Sequence, residues 1–259
     1  SVASSYDSTP LGGGRTLCLN GTPITSLTVP EGVESIGPRA FYGCKGIATV
    51  SLPDTLINID SRAFYGCSGV SSVKIPSSVT NLGYYAFANC SGLSSIEIPD
   101  SVRSVGEYAF TYCSSLKTVS FGSGVESVGR DAFSGCNAIS RVDVADLTKW
   151  CAIEFGGTGD DYYIYPSSNP LTTAKHLYVD GKEVTELTIP EGVASIGRCA
   201  FYMCSSITSV SFPESLKSIG AGAFHGCAGL TNLKFPAGLA VFRPYAFRDC
   251  TGLTSIEIL

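Results

Sequence analysis

Residues 30–53 read PEGVESIGPRAFYGCKGIATVSLP, and the same pattern starts again at the second proline. The period is 23 residues. The later members of the series are Pro53, Pro76, Pro99, Gly122, Pro190, Pro213, Pro236 and, in the last slot, Leu259. A fixed period of this length is typical of a solenoid, in which each repeat buries its apolar residues only against its neighbours. We therefore predict one elongated repeat body rather than two globular domains.

The composition argues against several classes of partner. The chain has 259 residues, of which 44% are hydrophobic and 15% charged, and its formal net charge is -5. The basic residues form no dense stripe, so nucleic acid and anionic membranes are poor partners. No apolar run approaches the ~18 residues of a membrane span. The sequence contains no recognisable signal peptide, and this absence does not decide whether the protein is exported.

Each coil contains one alternating segment and one aromatic corner. In residues 47–52 the apolar Val50 and Leu52 alternate with polar residues, which predicts a short strand with these two side chains inward. Proline then ends the strand because it cannot donate a ladder hydrogen bond. An Ala-Phe pair follows at the same place in eight coils. Stacking the coils would produce columns of phenylalanine and aliphatic side chains, which we expect to dominate stability.

Cysteine follows the same period, so we do not interpret it as a disulfide framework. Eight of the eleven cysteines share one repeat position. They are Cys44, Cys67, Cys90, Cys113, Cys136, Cys204, Cys227 and Cys250. Neighbouring coils lie about 4.8 Å apart, but parallel Cβ vectors do not suit the disulfide dihedral. We predict a ladder of free, buried thiols, which pack as small hydrophobes.

The repeats divide the chain into segments. Residues 1–15 are rich in Ser and Gly and predict a flexible linker; residues 16–259 then form one solenoid. It comprises a first repeat block at 16–144, an irregular connecting segment at 145–176 and a second block at 177–259. Each block opens on a predicted hairpin, with turns at Asn20-Gly21 and Asp180-Gly181. In the connecting segment, Asp146 is a good N-cap for a short helix whose Trp150 we expect in the core.

The repeated elements resemble a known family. They are PEGV-x-SIG at 30–37 and 190–197, AFYGC at 40–44 and 63–67, and L-x-x-I-x-IP at 93–99. These motifs are similar to the 23-residue BspA-like class of leucine-rich repeats. The resemblance implies a right-handed, curved, mainly-β stack of about ten coils with short strands and little helix. Departures at Asp60 and Arg243, where Gly is expected, and at Gly122, where Pro is expected, predict local changes at turns.

The resemblance also implies a function. Such repeats are displayed by surface or secreted bacterial proteins and are associated with adhesion to host proteins or to other cells. No catalytic residues or cofactors are carried over with the family. The expected partner is a protein or glycan of a host or neighbouring cell. The alternative is a passive spacer within a larger surface protein.

Catalytic and metal-binding patterns are weak. The two histidines, His176 and His225, are both expected at the surface. No GxSxG, phosphate-loop, HExxH or dinucleotide fingerprint occurs. Asp160 and Asp161 with Glu154 match no calcium loop. We therefore predict that the protein is not an enzyme and binds no metal or cofactor.

Candidate binding residues lie on the outward strand positions and in the connecting segment. They are Thr49, Ser51, Ser72, Lys74, Ser95, Glu97, Thr118, Ser120, Arg141, Asp143, Trp150, Asp160, Asp161, Tyr162 and Tyr163. The strand positions form either a binding platform or a hydroxyl face that keeps the sheet soluble. A second candidate is a tyrosine cluster near the Ala-Phe corners, which binds a partner or only shields the phenylalanines. Its members are Tyr42, Tyr65, Tyr84, Tyr85, Tyr108, Tyr112, Tyr202 and Tyr245.

The last coil ends in an apolar strand, residues 253–259, with no recognisable capping unit after it. An uncovered edge strand is a template for association. We expect either that the native chain continues or that this edge meets another molecule, with weak self-association as the favoured outcome.

Overall fold

The structure is a computed structural model that describes residues 18–19, 22–157 and 164–259. It is a mainly-β solenoid of about ten turns with almost no helix, as the repeat predicts. The predicted linker at 1–15 lies outside the described residues.

One strand from each coil forms a front row. Its members are β3 (Ser26–Thr28), β5 (Thr49–Ser51), β7 (Ser72–Val73), β9 (Ser95–Ile98), β11 (Thr118–Phe121), β13 (Arg141–Val144), β15 (Leu177–Val179), β17 (Glu186–Thr188), β19 (Ser209–Ser211), β21 (Asn232–Phe235) and β23 (Ser255–Ile258). They pair in parallel as three sheets in series, β3 to β7, β9 to β15 and β17 to β23. Along β11, Val119 and Phe121 are buried while Thr118 and Ser120 face outward, because side chains alternate across a strand.

Shorter strands form a back row on the other side of the coils. They are β4 (Ser35–Ile36), β6 (Asn58–Ile59), β8 (Asn81–Leu82), β10 (Ser104–Val105), β12 (Ser127–Val128), β14 (Glu154–Phe155), β18 (Ser195–Ile196), β20 (Ser218–Ile219) and β22 (Val241–Phe242). They also pair in parallel. Asp60 and Arg243 keep the backbone hydrogen bond that glycine makes in other coils, to Ile36 O at 3.0 Å and Ile219 O at 2.9 Å. These two substitutions therefore leave the turn intact.

Gly122 replaces proline where the backbone of the preceding coil comes close. A Cβ at Gly122 would lie 2.5 Å from the Asp100 nitrogen. The Asp100 carboxylate accepts hydrogen bonds from the Ser123 N–H and hydroxyl, at 2.6 and 3.0 Å. At Gly122, the local change predicted at this turn is thus a close approach to the turn at Asp100 in the preceding coil.

The Ala-Phe segments form a third row, the corner row, which is held by its own hydrogen-bond ladder. The Phe87 N–H donates to Ala109 O of the next coil at 2.8 Å, and the same bond recurs from Phe64 to Ala86. Phe64, Phe87 and Phe110 stack with ring centroids 5.2 and 5.6 Å apart and with planes within 6° of parallel. This spacing suits offset aromatic stacking. The predicted phenylalanine column is confirmed.

The cysteines pack beside this column as free, buried thiols. Ten cysteines of the described chain are free and buried, including all eight at the shared repeat position. The Cys90 thiol donates to Phe64 O at 3.1 Å, and Cys113 repeats this contact with Phe87 O at 3.2 Å. The thiols thus occupy an apolar position while donating hydrogen bonds to main-chain oxygens of the preceding coil. The predicted thiol ladder is confirmed for these residues.

Both predicted hairpins have paired strands. In the first, β1 (Cys18–Leu19) pairs antiparallel with β2 (Thr22–Pro23), while its Asn20-Gly21 turn lies outside the described residues. In the second, β15 pairs antiparallel with β16 (Lys182–Glu183), and β15 also extends the parallel front row beside β13.

The connecting segment rebuilds the coil with different residues. It contains α1 (Leu147–Ala152), a 3-10 helix (Pro166–Ser168) and α2 (Leu171–Ala174). The Asp146 carboxylate accepts from the N–H groups of Thr148 and Lys149 at the start of α1, as predicted for an N-cap. Ser167 O accepts a hydrogen bond from the Phe133 N–H at 2.9 Å. In regular coils the acceptor for the equivalent phenylalanine N–H is the carbonyl of an alanine.

Two side chains of the connecting segment reach the second block. The buried Trp150 ring packs against Phe121 and Phe155, and its Nε1 donates to Ala200 O at 2.9 Å. Asn169 Nδ2 donates to the carbonyls of Cys199 and Ala200 at 2.8 and 3.1 Å. These hydrogen bonds satisfy backbone carbonyls in the first corner of the second block, which has no regular coil before it.

The phenylalanine column leads to a stability prediction. Phe87→Ala removes a ring that is 1% exposed and stacked on both sides. It should lower the free energy of unfolding by about 3 to 5 kcal/mol because a cavity remains. Ser95→Ala, at an exposed outward position, should change it by less than about 0.5 kcal/mol. Urea titration followed by circular dichroism measures both, and equal losses would contradict the assigned inward face.

The thiol ladder leads to a prediction about pH. Burial raises the pKa of Cys67 from 9.0 to about 12. Above pH 9 the unfolded chain releases this proton while the folded chain retains it, so the unfolded state binds fewer protons and stability falls as pH rises. The loss is about 1.4 kcal/mol per pH unit for one such thiol.

Unfolding in urea at about pH 8 and about pH 10 measures this slope. Cys67→Ala should show a shallower decline than the unchanged chain, because one linked proton is absent. The direct cost of losing the thiol contact does not change with pH and so does not enter the slope. Identical slopes would mean that the Cys67 thiol titrates normally in the folded protein.

Candidate binding surface

The outward side chains of the front row form a continuous polar surface, which we call the front face. Strand register places equivalent residues side by side: Ser95, Thr118 and Arg141 form one row, and Glu97, Ser120 and Asp143 another. Ten of the predicted binding residues lie here. The exposed ones are Thr49, Ser51, Ser72, Lys74, Ser95 and Glu97, and the half-buried ones are Thr118, Ser120, Arg141 and Asp143.

An arginine, an aspartate and a tyrosine form an ordered group within this face. Arg141 donates two hydrogen bonds to the Asp143 carboxylate, from Nε at 2.7 Å and from Nη2 at 2.6 Å. Its guanidinium carbon lies 4.1 Å from the centre of the Tyr178 ring. These bonds to Asp143 raise the pKa of the Arg141 guanidinium. The group fixes a long cationic side chain in one place while 39% of that side chain stays exposed.

Sequence reasoning missed Tyr178. Its position depends on β15, which follows the irregular connecting segment and yet pairs with β13, so that Tyr178 lies opposite Asp143. The 23-residue period does not predict this register, since 35 residues separate the two positions. The hairpin pattern at 177–184 was the available signal, because it marked Tyr178 as a strand residue.

Many other positions of the front face carry serine or threonine. Several hydroxyls bond to the neighbouring coil: Thr49 Oγ1 donates to Ser26 Oγ at 3.0 Å, and Ser94 Oγ donates to Ser71 O at 3.1 Å. Serine and threonine lose little conformational entropy when a partner covers them, compared with lysine or glutamate. The serine and threonine positions of the face therefore cost little conformational entropy to order.

An open groove borders the Arg141 group at the carboxyl ends of the front strands. Its volume is about 520 Å³. The carboxylates of Glu97, Asp100, Asp143 and Asp180 line it together with Ser120. The groove is shallow and open, so it suits one side chain of a larger partner better than an enclosed small molecule.

The other predicted binding residues are not part of this face. Trp150 is 1% exposed, so its assignment to a binding surface was wrong; its ring packs in the core against Phe121 and Phe155. Asp160, Asp161, Tyr162 and Tyr163 lie outside the described residues. The front face is thus the part of the predicted surface that the structure brings together.

The tyrosine cluster is only partly contiguous. Tyr42 stacks on Tyr65 at 4.8 Å, and Tyr85 stacks on Tyr108 at the same distance, with Tyr84 packed edge-on against both of the latter. Arg62 and Arg130 cover further ring faces. The ring faces are occupied by protein neighbours, so they are less available to a partner than the front face.

The remaining tyrosines have other surroundings. Tyr112 lies against Gly135 and is 61% exposed, and Tyr202 stacks on His225 at 4.6 Å. Tyr245 carries Arg248 over its ring at 5.3 Å. The eight tyrosines therefore do not form one site.

The two histidines differ in exposure. The exposed His176 Nδ1 lies 2.7 Å from Glu183 Oε1 in the hairpin. His225 is less exposed than His176: its side chain is 13% exposed, stacks on Tyr202, and its Nε2 lies 3.4 Å from Asp249 Oδ2. Burial lowers the pKa of the His225 imidazole, which favours its neutral form.

Within residues 18–19, 22–157 and 164–259, no cluster of three or more His, Cys, Asp or Glu side chains is arranged to hold a metal ion. No helix in this part of the chain has the length and apolar character to cross a membrane.

Comparison with known proteins agrees with the observed fold. A family model described as the BspA type leucine rich repeat region matches residues 15–142 and 174–259 in six copies. Residues 1–14 and 143–173 are unmatched, and the second range covers most of the connecting segment. A comparison with curated proteins gives no match.

Solved structures with a similar fold come from several bacteria. A leucine-rich repeat protein from Bacteroides ovatus is 21% identical, with 92% of this chain and 75% of that chain covered and a TM-score of 0.44. The leucine-rich repeat protein of T. pallidum is 24% identical, with 80% and 78% covered and a TM-score of 0.48. The pneumococcal vaccine antigen PcpA is 19% identical, with 90% and 72% covered and a TM-score of 0.46. With its repeats matched over most of its length, the chain belongs to the BspA-type leucine-rich repeat family.

Proposed function

We propose that this chain is a non-catalytic binding module that attaches to a partner protein through its front face. The observation that carries the proposal is the Arg141, Asp143 and Tyr178 group, which holds a guanidinium in a fixed position within a polar sheet. Arginine and tyrosine are the residue types most often found to dominate binding at protein interfaces.

The group is ready to bind without rearranging. Arg141 uses two of its five N–H donors on Asp143, which leaves three for a partner. Its long side chain is already ordered by the carboxylate and the Tyr178 ring, so less entropy is lost on binding than for a free arginine. The acidic groove beside it offers room for a basic side chain of the same partner.

The serine and threonine residues around this group would extend the contact with a partner. Thr118 and Ser120 lie next to the group, and Ser95 lies one strand further on. Serine and threonine hydroxyls both donate and accept hydrogen bonds. A partner lying across several strands would therefore meet one anchoring centre and an adaptable rim.

We further propose that the module acts in adhesion outside a bacterial cell. The support is membership in the BspA-type family together with the extended polar front face and the open groove beside it. The partner would then be a protein of a host or neighbouring cell.

A panel of purified host extracellular proteins and glycans tests the proposal. The immobilised chain should retain at least one protein. Arg141→Ala and Tyr178→Ala should each weaken that binding by about tenfold or more, since loss of a central anchor typically costs over 1.4 kcal/mol. Tyr112→Ala is the matched control, because this tyrosine is 61% exposed and lies on a corner away from the front face. Surface plasmon resonance gives the affinities.

Three results would count against the proposal. Retention of glycans alone would assign a different partner class. Equal binding by the Arg141, Tyr178 and Tyr112 variants would show that the front face is not the site. A correctly folded chain that binds nothing in the panel would favour the passive spacer.

A further inference from the structure

Five tyrosines of the corner row form one connected group, which the front-face proposal does not use. Tyr65 contacts Tyr85 edge-on, with ring centroids 6.1 Å apart. This contact joins the stacked pair of Tyr42 and Tyr65 to the trio of Tyr84, Tyr85 and Tyr108. The five rings come from four successive coils of the first repeat block, and we call them the tyrosine row.

Guanidinium groups flank the stacked pair of Tyr85 and Tyr108. The guanidinium carbon of Arg62 lies 5.1 Å from the centre of the Tyr85 ring. The guanidinium carbon of Arg130 lies 5.7 Å from the centre of Tyr108 and 5.1 Å from that of Tyr165. The Arg130 side chain is nevertheless 46% exposed. The rings thus hold these arginines in place by cation–π contact while N–H donors remain for a partner.

The backbone of the row adopts a conformation that favours glycine. Arg39, Arg62, Tyr85 and Tyr108 occupy one repeat position, and each has a φ of 56 to 58°. Side chains with a Cβ are disfavoured in this left-handed region, which glycine adopts readily. Gly222 takes the same position in the second block, with a φ of 62°. The backbone geometry therefore gives no reason for arginine or tyrosine here, and such outliers often mark functional positions.

The corner face of the first block is basic, although the chain as a whole is acidic. Its segments are residues 38–45, 61–68, 84–91, 107–114 and 130–137. They contain four basic residues, Arg39, Lys45, Arg62 and Arg130, and two acidic ones, Glu107 and Asp131. The net charge of the whole chain is -5. The local excess of positive charge favours an acidic partner at this face.

We propose that the tyrosine row and its two flanking arginines form a second binding site, separate from the front face, for an acidic segment of a partner protein. Arg62 and Arg130 each donate hydrogen bonds to a carboxylate of that segment. Between them, the tyrosine hydroxyls donate to further carboxylates or to main-chain oxygens. The stacked rings already order both arginines, so little side-chain entropy is lost on binding.

The covered ring faces favour a peptide over a sugar as the ligand. The face of an aromatic ring is negative and attracts the C–H groups of a sugar, whereas the ring edge is positive. In Tyr85 and Tyr108 the faces are occupied by each other and by the two guanidinium groups. The row therefore presents ring edges, hydroxyls and guanidinium groups, all of which suit carboxylate oxygens.

A fluorescent peptide of Glu-Gly repeats tests the site by fluorescence anisotropy at low salt. The chain should bind it and should not bind the corresponding Gln-Gly peptide. Added salt should weaken the binding, because exposed charge pairs are screened. Arg62→Gln and Arg130→Gln should each weaken it by about threefold or more. Arg103→Gln is the matched control, since it removes the same charge from a side chain that is 61% exposed beside the back row.

Tyr85→Gly tests the aromatic part of the site. Glycine suits the φ of 56°, so the variant should remain folded. Its affinity for the glutamate peptide should fall by about fivefold or more, because the ring that supports Arg62 is lost. Tyr112→Gly makes the same change at a φ of 58°, outside the tyrosine row, and should leave the affinity unchanged. Circular dichroism checks the fold of both variants; if Tyr85→Gly unfolds, the arginine variants decide.

Three results would overturn the proposal. The first is absence of binding to the glutamate peptide at low salt. The second is equal loss of affinity in the Arg62, Arg103 and Arg130 variants, which would indicate a general effect of net charge. The third is binding of a hyaluronan oligosaccharide, whose carboxylates belong to sugars, without binding of the peptide; this would assign a glycan to the site.

Discussion

Every coil completes its hydrogen bonds and its core only through the coils on either side of it. The corner shows this most clearly, because the Phe87 N–H finds its acceptor at Ala109, in the next coil. The ring of Phe87 likewise stacks on rings from the two adjacent coils. A solenoid of this kind has nearest-neighbour stability, so a break in the repeat must be bridged by some other donor or acceptor.

The connecting segment provides that bridge. It abandons the 23-residue period but retains the contacts that the period supplied, with Ser167 in place of alanine in the corner ladder. Trp150 and Asn169 then donate to carbonyls of the second block. The residues with the least repetitive sequence thus have a structural role, and this explains why Trp150 is buried rather than exposed to a ligand.

The same nearest-neighbour rule separates the functional surface from the structural one. Inward positions and corner rings are occupied by contacts between coils, whereas the outward positions of the front row are free to vary. Most of those positions carry hydroxyls, and in the Arg141, Asp143 and Tyr178 group long side chains are fixed by one another.

The sequence by itself determined the solenoid, its inward columns, the free thiols, the helix cap at Asp146 and both hairpins. The solenoid, its columns and the thiols depend on residue type at a fixed spacing that recurs in eight coils, whereas the cap and the hairpins depend on short local motifs. Only the tertiary structure decided which side chains meet across the irregular segment. The contact between Arg141 and Tyr178 depends on how β15 aligns with β13, and the burial of His225 depends on Tyr202 in the neighbouring coil. The local sequence pattern fixes the face on which a residue lies, whereas the pairing between coils fixes its neighbours. Where the 23-residue period fails, no regular spacing in the sequence encodes that pairing.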